Sequence, residues 1–130
     1  MNWQNTALVI AGVIGSVVAV VHGILTQRLM VQPFEQFFLS DSRISAPIRR
    51  LVPLLLHYST ITWFLGGLAL IAAAIWFGRD AKLATGLFVG SLYAFGALGN
   101  LWGTRALHPG WVLYTIALIL IVFGVSKPGG

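Results

Sequence analysis

The sequence contains no cysteine and very few charged residues. The absence of cysteine among 130 residues excludes disulfides, thiolate metal ligands and thiol nucleophiles from this chain. Charged residues make up 8% of the chain, and only three of them are acidic, whereas about a quarter of the residues in a soluble domain are charged. Because so few charged side chains cannot cover a domain in water, we interpret the chain as a membrane protein and not as a soluble monomer.

The abundant residues are apolar, and they occur in long uninterrupted runs. Hydrophobic residues make up 58% of the chain, and the mean hydropathy is +0.88. Four stretches carry no Asp, Glu, Lys or Arg, at residues 1–27, 51–78, 83–104 and 106–126. Each is long enough to cross the bilayer core, which takes about 20 helical residues. The sequence therefore predicts one all-α domain, a polytopic membrane protein with a four-transmembrane-helix bundle.

The connections place the predicted spans and one further helix. We expect spans at about residues 6–27, 53–77, 83–103 and 111–125, and a disordered tail at 126–130. Pro33 suits the first turn of a short helix at 33–39, and three phenylalanines then share one side of it: Phe34, Phe37 and Phe38. This pattern predicts an interfacial amphipathic helix between spans one and two. A loop folded over the bundle is the alternative.

Small residues predict the faces on which the spans pack, because they let helix backbones approach closely in a bilayer. Span one carries a stripe of Ala11, Gly15, Ala19 and Gly23, and span two one of Ser59, Thr62, Gly66, Ala69 and Ala73. Span three contains two GxxxG pairs, Gly86 with Gly90 and Gly99 with Gly103. Tryptophans near span ends are typical of membrane interfaces, and here they are Trp3, Trp76, Trp102 and Trp111.

The basic residues predict orientation and not nucleic-acid binding. The formal charge is +5, but the cations are dispersed among the connections. One side would carry Arg28, Arg43, Arg49, Arg50 and Arg105, and the other Arg79, Lys82 and Lys127. The positive-inside rule then places both termini outside the cytoplasm. We expect the bacterial inner membrane as the location, with the lipid bilayer and other integral membrane proteins, or a second copy, as partners.

His22, His57 and Trp63 are the candidates for cofactor binding. The two histidines lie at similar predicted depth near the basic end of spans one and two, where they could ligate a haem from both sides or contact a quinone. The helical wheel directs His22 into the bundle, but it directs His57 away from the small stripe, toward lipid, the interface or a partner. Trp63 lies well inside span two and is either a packing wedge or a contact to a quinone or pigment ring.

Asn100, Arg105 and His108 are the candidates for lipid binding, because they lie together at the end of span three and the start of span four. No metal site and no catalytic group is predicted. The three carboxylates all lie in connections, at Glu35, Asp41 and Asp80. Without a paired acid or a nucleophile in a span, we expect a protein that is not an enzyme.

Three short motifs resemble those of a family of small four-helix bacterial membrane proteins that has no settled activity. They are Val21-His22-Gly23 with Arg28 and Pro33, then Arg49-Arg50 with His57-Tyr58-Ser59-Thr60, and His108-Pro109-Gly110-Trp111. Thr26-Gln27 stand where those relatives often carry an acidic residue. The resemblance implies the four-helix architecture.

The leading functional hypothesis is a non-catalytic accessory or assembly subunit of a larger inner-membrane complex, such as an energy-transducing one. It follows from the scarcity of ionisable groups in the spans. The alternatives are a haem- or quinone-binding membrane protein, and a small transporter or lipid-binding protein.

Overall fold

The computed structural model describes residues 2–126, which contain helices and no β-strand. The helices are α1 (Trp3–Thr26), α2 (Gln32–Leu39), α3 (Ala46–Trp76), α4 (Arg79–Thr104) and α5 (Pro109–Val125). The all-α prediction is confirmed. Three helical stretches are long and apolar enough to cross a membrane, namely Trp3–Leu39, Ala46–Trp76 and Arg79–Thr104. The fourth apolar helix, α5, has 17 residues, which is at the lower limit of about 17–25 for a span.

The four long helices form a ring in which each packs against two neighbours. α1 packs against α3 and α5, and α4 packs against the other side of the same two helices. α1 and α4 therefore occupy opposite corners. The links between α3 and α4 and between α4 and α5 are short, so these consecutive helices run antiparallel. This arrangement is compatible with the predicted four-helix bundle.

The first helix is longer than predicted. The short helix expected at 33–39 is present as α2, but no linker separates it from α1, because a π-helical turn at Gln27–Val31 joins the two. Pro33 has no N–H and would interrupt a regular α-helix. We attribute the wider turn just before it to this missing donor. α2 ends at Leu39, as predicted, and Ser40 is its C-cap.

The helix of the second predicted span also begins earlier than predicted. α3 starts at Ala46, with Pro47 in its first turn, so Pro53 lies inside the helix and not in its first turn. Of the predicted tail at 126–130, Ser126 caps α5, and residues 127–130 lie outside the described part of the chain.

The small stripe of α1 is confirmed as a packing face. Ala11 and Ala19 have no exposed surface, and a Cβ on Gly15 would overlap the hydroxyl of Tyr93. A close backbone approach involves two glycines outside the predicted stripes. A Cβ on Gly12 would lie 2.5 Å from the carbonyl oxygen of Gly67 on α3, so only glycine fits at either position.

The two GxxxG pairs of α4 differ in their surroundings. A Cβ on Gly86 would lie 2.5 Å from Val125 and one on Gly90 3.7 Å from Ile121, so this pair packs on α5. A Cβ on Gly99 or Gly103 would meet no atom of residues 2–126 within 4 Å. The second pair therefore makes no contact of this kind with the bundle.

Candidate functional site

A cluster of polar and aromatic side chains lies inside the bundle, at the level of the second half of α1. His22 from α1 is half-buried, and its Nε2 lies 3.1 Å from the Ser59 hydroxyl of α3. The imidazole also packs against Trp63 in a T-shaped arrangement, with 4.7 Å between ring centroids. His22 thus points into the bundle, as predicted. Its polar partner is a hydroxyl on the neighbouring helix.

Three large rings continue this cluster across the bundle. Trp63 packs against Tyr114 of α5, with 4.9 Å between ring centroids, and Tyr114 packs against Tyr93 of α4, at 4.8 Å. Trp63 is 7% exposed and both tyrosines are fully buried. Gly96 of α4 makes room for the Trp63 indole, because a Cβ there would lie 2.7 Å from it. The packing therefore gives Trp63 the wedge role.

The two buried tyrosine hydroxyls differ in their hydrogen bonding. The Tyr93 hydroxyl donates to the backbone carbonyl of Trp63 over 3.4 Å. The Tyr114 hydroxyl is buried and has no hydrogen-bond partner within residues 2–126. Sequence reasoning did not single out either tyrosine, because an aromatic ring in an apolar span is not distinguished from its neighbours by periodicity.

His57 points toward α1, contrary to the direction expected from the helical wheel. Its Nε2 lies 2.8 Å from the side-chain oxygen of Gln27, and the pair is half-buried. His57 lies nine residues before Gly66 of the predicted small stripe, which puts the two on opposite faces of the helix, but Gly66 faces Val89 of α4, whereas Gly67 faces α1. When Gly67, and not Gly66, marks the side of α3 that faces α1, His57 lies on the α1 side of the helix.

The three lipid-binding candidates separate into two environments. His108 caps α5, since its Nδ1 accepts a hydrogen bond from the Gly110 amide over 3.1 Å. The side-chain amide of Asn100 donates to the backbone carbonyl of Gly96, in the same helix, over 2.7 Å. Both side chains line a cavity of about 40 Å³ that they share with His22 and Tyr114. Arg105 ends α4 in a left-handed conformation with φ of 48°; it is exposed and does not line this cavity.

The geometry around the histidines does not fit a haem. Each imidazole already contacts a protein side chain through Nε2, and the cavity beside His22 has a volume of only about 40 Å³. This is room for a water molecule or two, not for a macrocycle. Among residues 2–126, no group of three or more His, Asp or Glu side chains could hold a metal ion.

A larger opening lies on the outside of the bundle between α3 and α4. This groove has a volume of about 590 Å³ and is open to the outside of the bundle. Small residues of both helices line it, Gly66 and Ala69 on α3 and Ala84 on α4. Thr62 and Thr85 add one hydroxyl from each helix, and larger side chains, among them Tyr58, Leu65 and Phe88, complete the lining.

Comparison with known proteins gives no functional assignment, since no family model, no curated protein and no solved structure matches the chain.

Proposed function

We propose that this chain is a non-catalytic accessory subunit of a larger inner-membrane complex, and that it binds one transmembrane helix of a partner in the α3–α4 groove. The observation that carries the proposal is the groove itself. Of the small residues that line it, Ala69 and Ala84 are exposed on the outside of the bundle, and Gly66 packs against Val89 of α4.

The exposed apolar side chains, the length of α4 and the positions of the tryptophans support membrane insertion. Large apolar side chains are exposed along every long helix, including Val17 (57%), Leu65 (56%), Phe95 (78%) and Ile119 (64%). α4 has 26 residues, so it is about 39 Å long at 1.5 Å per residue, which exceeds the hydrocarbon core of about 30 Å. Exposed tryptophans stand near both ends of the bundle, with Trp3 and Trp76 at one end and Trp102 at the other.

The composition of the groove favours a helix as its occupant. Lipid tails are as apolar as leucine, so a lipid-facing surface has no need of small residues. A second helix does need them, because it gains dispersion contacts only where the backbones approach closely. The Thr62 hydroxyl, which donates to the Tyr58 carbonyl, and the Thr85 hydroxyl can accept a hydrogen bond from a polar side chain of a neighbouring helix, and an acyl chain offers no such donor.

Site-specific photo-crosslinking tests the proposal. Phe88 lines the groove and is 68% exposed, and Phe123 is 51% exposed on α5, outside the groove. Each would be replaced in turn by a benzophenone-bearing phenylalanine in the full chain, in native membranes. We expect position 88 to link to a peptide from a transmembrane helix of another protein, and position 123 to give no such adduct. Adducts with lipid alone, or with a second copy of this chain, would overturn the assignment of the occupant.

A pair of matched substitutions provides a second test. Thr62 and Thr115 each donate to the carbonyl four residues earlier, over 2.7 and 2.8 Å, but only Thr62 lines the groove. We expect Thr62→Phe to fill the groove and abolish the crosslink from position 88, and Thr115→Phe to leave it unchanged. Equal yields from both variants would argue against the groove as the binding surface.

A further inference from the structure

A polar recess lies at the end of the bundle where α1 and α4 begin and α5 ends. It has a volume of about 200 Å³. A water molecule takes up about 30 Å³, so the recess has room for several groups of that size. Its polar lining consists of Arg79, Lys82, Asn2, Gln4, Asn5 and Ser126. This end of the bundle is far from the cluster around His22 and from the candidates Asn100, Arg105 and His108.

The two cations of the recess are held on one face of α4. Arg79 and Lys82 are three residues apart, a spacing that places side chains next to each other on a helix. Asp80 belongs to the same turn, but it does not line the recess, and no acidic side chain is among the described residues that do. The recess is therefore positively charged.

Hydrogen bonds tie the walls of the recess together. The Lys82 ammonium donates to the side-chain oxygen of Asn5 on α1 over 2.7 Å. Asn5 in turn donates its backbone amide to the Asn2 side chain, which caps α1, over 2.8 Å. The ammonium has three donors, so two remain for a ligand. The wall that presents Lys82 is thus positioned by α1 before any ligand arrives.

The position of the recess identifies its ligand class. Trp3 begins α1 and Trp76 ends α3, and both are more than 70% exposed, at 79% and 73%. Exposed tryptophans mark the headgroup level of a bilayer. At this level the anionic group that meets a basic pocket between transmembrane helices is a lipid phosphate.

We propose that this recess binds the phosphate of an anionic lipid headgroup through Arg79 and Lys82. The amide side chains of Gln4 and Asn2 and the Ser126 hydroxyl supply further hydrogen-bonding groups for the headgroup. The proposal depends on the membrane insertion proposed above, but not on the partner helix in the groove.

Native mass spectrometry of the full chain, released from bilayers that contain equal amounts of phosphatidylglycerol and phosphatidylcholine, tests the site. We expect the wild type to retain phosphatidylglycerol several-fold more than phosphatidylcholine. The double variant Arg79→Gln, Lys82→Gln should lose this preference. The control is Arg28→Gln, Arg50→Gln, which removes the same charge from two exposed arginines at the opposite end and should keep the preference.

Each other outcome would overturn the assignment. Equal losses in both double variants would show general charge attraction, and no loss in either would show that the recess is not the site. A signal from added inorganic phosphate that phosphatidylglycerol does not displace would assign the recess to free phosphate.

Lys82→Arg keeps the charge and should keep the preference, which guards against a folding defect. Carbonate extraction tests insertion separately, because release of the wild type from membranes would contradict the proposed function itself.

Discussion

Replacing Gly12 by alanine tests whether close backbone contact holds α1 and α3 together. The added Cβ would lie 2.5 Å from the carbonyl oxygen of Gly67 and 2.7 Å from the Ile71 side chain. Ordinary van der Waals contact begins at 3.4 Å. The obstacle at Gly67 is backbone and cannot rotate away, so the two helices would have to separate by almost an ångström.

The magnitude follows from the loss of dispersion contacts. A gap of about 0.5–1 Å forfeits a quarter to a half of the attraction between facing atoms, and overpacking of this kind costs about 1–3 kcal/mol. Exchanging glycine for alanine in a helix returns about 0.5–1 kcal/mol. We therefore expect Gly12→Ala to lower the free energy of unfolding by up to about 2.5 kcal/mol against the wild type, and by about 1–3 kcal/mol against a glycine-to-alanine exchange that meets no such obstacle.

The matched control is Gly99→Ala, because a Cβ at Gly99 would meet no atom of the described residues within 4 Å. It makes the same chemical change in a helix of the same bundle, and we expect no loss of stability from it. Steric trapping of the full chain in bilayers would measure the free energy of unfolding of both variants. If Gly12→Ala were as stable as Gly99→Ala, the close contact between Gly12 and Gly67 would not contribute to the fold.

Three further predictions concern polar groups. Tyr114→Phe should leave the free energy of unfolding unchanged or raise it slightly, because the hydroxyl is buried without a partner in the described chain; a loss above about 1 kcal/mol would reveal a partner such as bound water. Gln27→Leu removes the 2.8 Å contact to His57 and should cost about 1 kcal/mol in the same assay, whereas an unchanged value would show that the contact is not stabilising. Hydrogen bonds from Arg43 lower the pKa of Asp41 in the turn after α2, so this contact stabilises the turn above about pH 4 and is lost as the pH falls through the lowered value. A carbon NMR titration should place the Asp41 midpoint below that of an ordinary aspartate and move it back in Arg43→Ala, and an identical midpoint in both would refute the contact.

The helices themselves were predictable from the sequence. The long uncharged runs matched the cores of α1, α3, α4 and α5. The few charged residues lie in connections and near helix ends, so the runs between them mark the helices. The stripe around Gly15 was also predictable, since a repeat of small residues every four positions has one face. The boundaries at Pro33 and Pro53 were not, because a proline is compatible with a helix start, a π turn or a helix interior, and packing selects among them.

The direction of each face was decided by the tertiary structure. In a soluble protein the polar residues mark the outside of a helix, but here both the interior and the predicted surroundings are apolar. α3 carries two adjacent glycines, Gly66 and Gly67. The sequence therefore does not indicate which of the two faces α1. That choice directs His57 onto Gln27. The same ambiguity leaves one GxxxG pair of α4 buried against α5 and the other exposed, although the two are indistinguishable as motifs.

The amino-acid sequence alone determined that this protein is a set of long apolar helices with its charges at their ends, because few charged residues and long uncharged runs allow little else. Only the tertiary structure brought Arg79, Lys82 and Asn5 together at one end and opened the groove between α3 and α4. Both sites are formed by residues from different helices. Their positions depend on which faces meet, and in a uniformly apolar chain this is determined by the fit of small and large side chains and not by polarity.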